Sequence, residues 1–217
     1  MLESSHLVGF GKTKRVVQQA PQTLTTSGTY SKPGNLVALA IFCAGPAGGG
    51  GGGGSDCYGS QRSGGGGGSG ALAYRYVLAS ALSSSESYTV PSAPGGGSLG
   101  NCAGNTGSDG GTGADTAFGT HCVAPGGVGG HAGCNHQGGA GGSGATGDTT
   151  DTGNAGGNGA SASPGGAGGA GKTLSNGYGS ITSNAGGAGG DDDGACGFTS
   201  GASGGAGKIV IVEFLAL

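Results

Sequence analysis

The chain has 217 residues and 61 of them are glycine, whereas an average protein has about 7% glycine. Only 9% of the residues are charged and 5% are aromatic, so an ordinary core of apolar side chains is excluded. The net charge is −3 and the eight basic residues are mostly scattered, which argues against nucleic acid as a partner.

The predicted elements begin with an N-terminal attachment segment, residues 1–22, which lacks the pattern of a signal peptide. A glycine-rich domain follows over residues 23–217, with frame strands at about 23–43, 71–91 and 208–217. The run LVALAIFC in the first of these alternates larger and smaller residues, which predicts a strand buried on one face. We expect residues 23–43 and 208–217 to pair in one β frame. No apolar run is long enough for a membrane span, so we expect no membrane insertion.

The glycine-rich sequence between the frame strands repeats with a period of three in patches such as GGAGGAG at residues 165–171. This is the period of the extended polyglycine II helix, which has no internal hydrogen bonds and can pair sideways with other such helices. Collagen is excluded, since the period is broken repeatedly and the chain has 7 prolines. The predicted fold is mainly β and irregular: a small, sandwich-like β frame enclosing a bundle of polyglycine II helices, with little or no α-helix. A disordered glycine linker is the alternative.

Residues 166–173, GAGGAGKT, match the phosphate-binding loop pattern G-x-x-x-x-G-K-[ST]. That chemistry needs a strand before the loop and a helix after it, and the flanking sequence predicts neither. We therefore expect no phosphate role for Lys172 and Thr173. No Ser/His/Asp or paired-carboxylate arrangement in the sequence has a spacing that distinguishes it from chance. We therefore expect no enzyme activity.

Six cysteines form an even set that permits disulfides in 15 pairings, with free buried thiols as the alternative. His121-Cys122 and the cluster of His131, Cys134 and His136 contain zinc or iron ligands, but not at the spacing of an established metal site. The calcium-binding nonapeptide pattern occurs once, in GGTGADTAF, without the tandem copies it needs. The run DDD at 191–193 predicts a solvated loop, and we expect no metal and no cofactor. The cysteines are Cys43, Cys57, Cys102, Cys122, Cys134 and Cys196.

Three separated motifs occur in order: SGTYSKPGNLVALAIFCAGPAGGGGGGGS, then GGTGADTAFGTHCVAPGG, then GGAGKIVIVEF. Together they resemble the glycine-rich domain of tailed-bacteriophage tail-fibre adhesins and tail-tip proteins, from about residue 23 to 215. The resemblance implies a β frame that holds polyglycine II helices, with distal loops that carry specificity for the host receptor. The leader MLESSHLVGFG is similar to the start of other small phage virion proteins.

The resemblance implies a virion protein of the phage tail, made in the host cytoplasm, that acts as a receptor-binding adhesin. Its partners would be other tail proteins, a bacterial surface protein or glycan, and further copies in a homo-oligomer such as a trimer. The alternatives are a purely structural collar, baseplate or cement protein and a cell-surface glycine-rich protein. Because glycine has no side chain, we expect the receptor to contact residues in the bends between glycine helices. The candidates are Tyr58, Arg62, His121, His131, His136, Tyr178, Asp191, Asp192, Asp193 and Phe198.

Overall fold

A computed structural model of the protein describes residues 15–55, 61–101, 105–133, 135–161, 164–193 and 197–217. Within these ranges the chain forms fourteen β-strands and one 3-10 turn at Ala79–Ala81, with no α-helix. The strands are β1 Val16–Gln18, β2 Gln22–Leu24, β3 Gly28–Ser31, β4 Leu36–Ala44, β5 Gly54–Ser55, β6 Gln61–Arg62, β7 Leu72–Leu78, β8 Ser85–Thr89, β9 Thr116–Phe118, β10 Cys122–Ala124, β11 Thr149–Asp151, β12 Thr173–Asn176, β13 Gly179–Thr182 and β14 Lys208–Ala216.

The strands form two antiparallel sheets and two hairpins; the two sheets and the β12–β13 hairpin make up the frame, and the β5–β6 hairpin lies apart from it. The larger sheet has the order β1-β14-β4-β7-β11, with β2 also paired to β14, and the smaller has the order β10-β9-β8-β3. Strands β12 and β13 form one hairpin, and β5 and β6 the other. The predicted pairing of the first frame strand with the C-terminal strand is confirmed, since β4 and β14 are antiparallel with Ile41 opposite Ile211.

Strand β4 is buried on both faces, so the prediction of one buried face is wrong. Leu39, Ile41 and Cys43 point into the core between the two sheets. Phe42 points to the opposite face, where Ile181 of the β13 strand covers it. The extra layer explains why the apolar run of β4 is almost unbroken, since neither face meets water.

The frame begins earlier in the chain than the predicted boundary at residue 23. Strand β1 pairs with β14 from Val16 onward, so residues 16–22 contribute to the larger sheet. Residues 22–31 contribute to both sheets, because β2 pairs with β14 while β3 crosses to pair with β8 in the smaller sheet. At the crossing, the Ser27 hydroxyl accepts a hydrogen bond of 2.9 Å from the Val90 N–H group.

Ten glycine-rich segments lie between the frame strands of the described chain and are neither helix nor strand. Their backbone groups hydrogen-bond sideways to one another. We number them in chain order as segments 1 to 10: residues 45–53, 63–71, 94–101, 105–113, 125–133, 135–143, 153–161, 164–172, 183–193 and 197–207.

Segment 1 donates its N–H groups to three other segments in rotation, and returns to the same partner every third residue. Its bonds are Gly48 to Gly68, Gly49 to Gly111, Gly50 to Ala202, Gly51 to Gly65, Gly52 to Ser108 and Gly53 to Thr199, all 2.8–3.1 Å. Its carbonyls accept from segments 3, 5 and 9 with the same period, for example at Gly50 from Gly97 and at Gly53 from Gly100. Within the described chain, segment 1 therefore has hydrogen-bonded neighbours on six sides.

Segment 2 is the second central segment. It bonds to segments 1, 5, 6, 7, 8 and 9, so segments 5 and 9 touch both central ones. The remaining bonds join the eight outer segments of the described chain into a closed ring, in the order 3, 4, 5, 6, 7, 8, 9, 10 and back to 3. The central segments are mostly glycine and fully buried, whereas outer segment 8 places an exposed residue at every third position, Pro164, Ala167 and Ala170.

The register of the larger sheet continues into the glycine segments. Ala44 is opposite Leu72 in the β4–β7 ladder, and the next bonds join Gly45 to Ala71, then Gly48 to Gly68. The β4–β14 ladder likewise continues as segment 1 bonded to segment 10. The frame therefore fixes the relative position of the segments along their length.

Replacing a central glycine should destabilise the fold, because the added Cβ of Gly67→Ala would overlap the Gly48 carbonyl oxygen. We expect a loss of about 3 kcal/mol in the free energy of unfolding, measured by denaturant titration. Gly95→Ala is the matched control, since Gly95 lies in segment 3 with no atom within 4 Å of its added Cβ. Equal losses in the two variants would contradict the packing described here.

Alkaline pH should weaken the frame through two tyrosines. Burial raises the pKa of Tyr74 to about 12, and burial together with the hydrogen bond to Glu213 raises the pKa of Tyr30 further. An unfolded tyrosine ionises near pH 10, so the unfolded state loses protons that the folded state keeps and stability falls as pH rises from about 10 to 12. Thermal unfolding across this range should show the fall, and Tyr74→Phe should make it shallower. An unchanged pH dependence in Tyr74→Phe would contradict the assignment.

Candidate functional site

The glycine segments have one set of ends at the frame and another set away from it. Hydrogen bonds of 3.0–3.3 Å join the remote ends to one another: Ser55 to Asn105, Gly53 to Thr199, Gly133 to Thr106 and Ser63 to Ala160. We call this end the tip, defined by residues 53–55, 61–63, 98–101, 105–109, 131–133, 135–137, 158–161, 164–165, 190–193 and 197–199. It brings together side chains from turns that are far apart in the sequence.

Most of the predicted receptor-binding residues that the structure describes lie at the tip. These are Arg62, His131, His136, Asp191, Asp192, Asp193 and Phe198. His121 and Tyr178 instead lie in turns of the frame, between β9 and β10 and between β12 and β13. Tyr58 lies outside the described residues. The sequence did not single out Leu99, which is 51% exposed at the tip.

Asp109 organises one side of the tip. One carboxylate oxygen lies 3.1 Å from His131 Nδ1, and the other accepts a 2.8 Å hydrogen bond from the Ala132 N–H group. Both side chains of the Asp109–His131 pair are more than a third exposed, so the pair adds about 1 kcal/mol or less to stability. The imidazole is therefore held in one position while it stays accessible to a ligand.

The three aspartates of the DDD run are held by the fold, and the prediction of a solvated loop is wrong for one of them. Asp192 is only 3% exposed. Asp191 accepts a 2.8 Å hydrogen bond from the Gly165 N–H group, and Asp193 accepts one of 2.7 Å from Gly197. Asp191 thus joins segment 9 to segment 8, and Asp193 joins the described ends of segments 9 and 10.

His136 combines an unusual backbone conformation with a buried ring nitrogen. Its φ angle is +34°, which is uncommon for a residue with a side chain. Its N–H group donates 2.8 Å to the Ala132 carbonyl, and its Nδ1 has no hydrogen-bond partner among the described residues. Cys134, predicted beside it in the same cluster, lies outside the described residues.

His121 belongs to a polar pair on the frame. Its Nε2 lies 3.4 Å from the Glu86 carboxylate. The pKa of Glu86 is lowered, first by the hydrogen bond from the Ser83 N–H group and further by His121. An open, polar cavity lies beside the pair, lined by Glu86, Thr89 and Gly119. The carboxylate is thus kept charged on the frame, away from the tip.

Tyr178 packs in an aromatic cluster on the outer face of the larger sheet. Its ring centre is 5.6 Å from that of Tyr76 on β7 and 5.3 Å from that of Phe214 on β14. Tyr178 is 40% exposed and Tyr76 is 37% exposed. The three residues come from distant parts of the chain, so no sequence pattern could reveal the cluster.

The phosphate-loop pattern has neither of the neighbours it needs. Residues 166–171 belong to segment 8, and the N–H groups of Gly166 and Gly169 already donate to carbonyls of segment 2. Strand β12, not a helix, follows Lys172. The ammonium group of Lys172 lies 2.8 Å from the Asp151 carboxylate. The N–H groups of Gly166 and Gly169 are therefore not free to bind a phosphate.

Two of the six cysteines, Cys43 and Cys122, lie in the described chain and are buried as free thiols. Cys57, Cys102, Cys134 and Cys196 lie outside it. Among the described residues, no group of three or more His, Cys, Asp or Glu side chains is arranged to hold a metal ion. No helix in the same residues has the length and hydropathy needed to cross a membrane.

No protein-family model matches the chain, and no curated protein matches it.

Lys172→Ala should leave nucleotide binding unchanged, and we expect none in either protein because a strand rather than a helix follows the loop and the N–H groups of Gly166 and Gly169 are already bonded within the fold. Titration of the full-length protein with ATP and Mg²⁺ in a calorimeter tests this. ATP binding by the unsubstituted protein that disappears in Lys172→Ala would contradict this prediction. Thr173→Ala, which changes the other side chain of the pattern, is the second variant to be tested.

Proposed function

We propose that the chain is a structural protein of a bacteriophage tail and that its tip binds a receptor on the host surface. The observation that carries this proposal is the separation of the molecule into two ends. Terminal strands β1 and β14 pair in the frame, while varied polar and apolar side chains gather at the opposite end. Such a molecule can be held in an assembly by the frame while it presents the tip outward.

We assign the ten segments to a bundle of polyglycine II helices. The support is the hydrogen-bond pattern, because a partner that recurs every third residue is expected of a helix with three residues per turn. The absence of bonds within each described segment is also typical of this helix. Six neighbours around each central segment are what close packing of parallel rods produces.

A bundle of this kind suits an adhesin because it holds the tip rigidly. Binding costs free energy when side chains or loops must be ordered, and a preorganised surface lowers that cost. Asp109, Asp191 and Asp193 each hold a tip turn through a backbone N–H group. The neighbouring exposed groups are then available for a ligand without further ordering.

The chemistry of the tip favours a polar ligand with hydroxyl or amide groups, such as a surface glycan or a loop of a surface protein. His131 supplies an imidazole held by Asp109, and Asn135 is an exposed amide nearby. Leu99 adds an exposed apolar side chain to the same end. Interfaces commonly combine an apolar contact with a few directed hydrogen bonds.

A purely structural role in the virion is the second candidate, and the aromatic cluster on the frame favours it. Tyr76 and Tyr178 are both partly exposed and could pack against a neighbouring subunit. In that case residues of the frame would contact neighbouring subunits, and the tip would bind no receptor.

The test compares a tip variant with a frame variant. Labelled full-length protein is mixed with intact cells from a panel of bacterial strains, and binding is measured by flow cytometry. We expect saturable binding to at least one strain, weakened at least tenfold by the double substitution Leu99→Ala/His131→Ala. Exposed side chains such as these contribute little to folding, so the thermal unfolding temperature should not change.

Tyr178→Ala is the control, because it removes a partly exposed aromatic side chain from the frame. We expect it to bind cells as the unsubstituted protein does. Loss of binding in Tyr178→Ala with normal binding in the tip variant would place the receptor surface on the frame. Failure to bind any strain would favour the structural role.

A further inference from the structure

Cys43 and Cys122 meet in the core between the two sheets. Cys43 lies on β4 in the larger sheet and Cys122 on β10 in the smaller one, and both are 0% exposed. The Cys43 thiol lies 3.5 Å from the Cys122 carbonyl, while the Cys122 sulfur lies 3.9 Å from the Ile41 carbonyl. Each side chain thus reaches across the layer to the backbone of the opposite strand.

The backbones that carry the two thiols are fixed by strand pairing. Cys43 is opposite Ile209 on one side and Ala73 on the other, and Cys122 is opposite Phe118. Cys43 and Cys122 belong to the same buried cluster as Ile41 and Phe118. Because each sulfur already lies against the backbone of the strand that carries the other cysteine, a disulfide requires the two side chains to rotate toward each other.

We propose that Cys43 and Cys122 are a site of oxidative cross-linking, at which a disulfide forms between the two sheets and locks the frame. The oxidant we name is a small-molecule disulfide such as oxidised glutathione. The thiolate of one cysteine attacks it, which forms a mixed disulfide and releases one glutathione thiolate. The second cysteine thiolate then attacks the protein sulfur of the mixed disulfide, which forms the Cys43–Cys122 bond and releases the second glutathione. Two electrons and both thiol protons pass from the protein to two molecules of reduced glutathione.

Burial determines when this reaction can occur. Burial raises the pKa of the Cys43 thiol, and contact with Cys122 raises it further, so the reactive thiolate is scarce in the folded protein. The closed core also excludes glutathione. The bond should therefore form while the chain folds or opens in an oxidising medium, and protein that folds in a reducing cytosol should stay reduced until the frame opens.

The site can be tested with the full-length chain. Unfolded, reduced protein is refolded with reduced and oxidised glutathione, then digested without reduction and examined by mass spectrometry. Elastase, which cuts after small residues, separates Cys43 from Cys57 at Ala44 and Ala47. We expect a cross-linked peptide pair that contains Cys43 and Cys122. We also expect the unfolding temperature to rise by about 10 °C relative to protein kept with reductant, because the bond closes a long loop.

Variants separate this bond from disulfides elsewhere in the chain. Cys43→Ala and Cys122→Ala should each abolish the rise, and comparing each variant with itself in both redox states removes the effect of the lost side chain. The variant with Cys57, Cys102, Cys134 and Cys196 all replaced by Ser should keep the rise. Recovery of Cys43 and Cys122 as free thiols after oxidative refolding, or linked to other cysteines, would overturn the proposal.

Discussion

The absence of a Cβ atom on glycine is the constraint on which the structure depends. Throughout segments 1 and 2, an added Cβ would first meet a backbone carbonyl of a neighbouring segment. Close approach is needed because the described segments have no internal backbone–backbone hydrogen bonds and must satisfy their buried N–H groups on their neighbours. The interior of the glycine-rich region is thus made of backbone, and it is held together by hydrogen bonds between segments, whereas the frame is held together by apolar side chains.

The frame sets the register of the glycine-rich segments, that is, their alignment along their length. Polyglycine segments look alike at every position, so their contacts alone specify weakly which residue faces which. The β4–β7 and β4–β14 ladders do specify it, because Phe42 and Ile41 must face opposite buried layers. Since the bonds of segment 1 continue both ladders without a shift, apolar side chains in the frame set the alignment of residues many positions away.

The same arrangement separates the proposed attachment and binding regions. Frame and tip are at opposite ends of rigid segments, so substitutions at the tip leave the apolar layers untouched. This separation suits a surface that must vary in chemistry while the fold is kept. The tip aspartates fit this interpretation, because Asp191 and Asp193 accept hydrogen bonds from the N–H groups of Gly165 and Gly197 and leave neighbouring side chains to contact a ligand.

The sequence by itself determined the main strands, the β class and the presence of a backbone-built middle. Long apolar runs such as those of β4 and β14 are recognisable because their residues have little alternative to burial. The spacing of glycine also carries information, since unbroken runs became central segments and GGA repeats became outer ones. The tip location of His131, Asp191 and Phe198 follows from the same logic, because side chains that interrupt glycine must lie in bends.

Only the tertiary structure decided which turns meet and which layers cover each face. Strands β9 to β13 are only three or four residues long, too short for a sequence pattern to reveal them, and they form where a neighbouring strand offers N–H and C=O groups. The cover over Phe42, the cluster of Tyr76, Tyr178 and Phe214, and the contact between Cys43 and Cys122 join residues that are distant in the chain. Their proximity depends on how the sheets pair and stack, and local sequence carries no record of that.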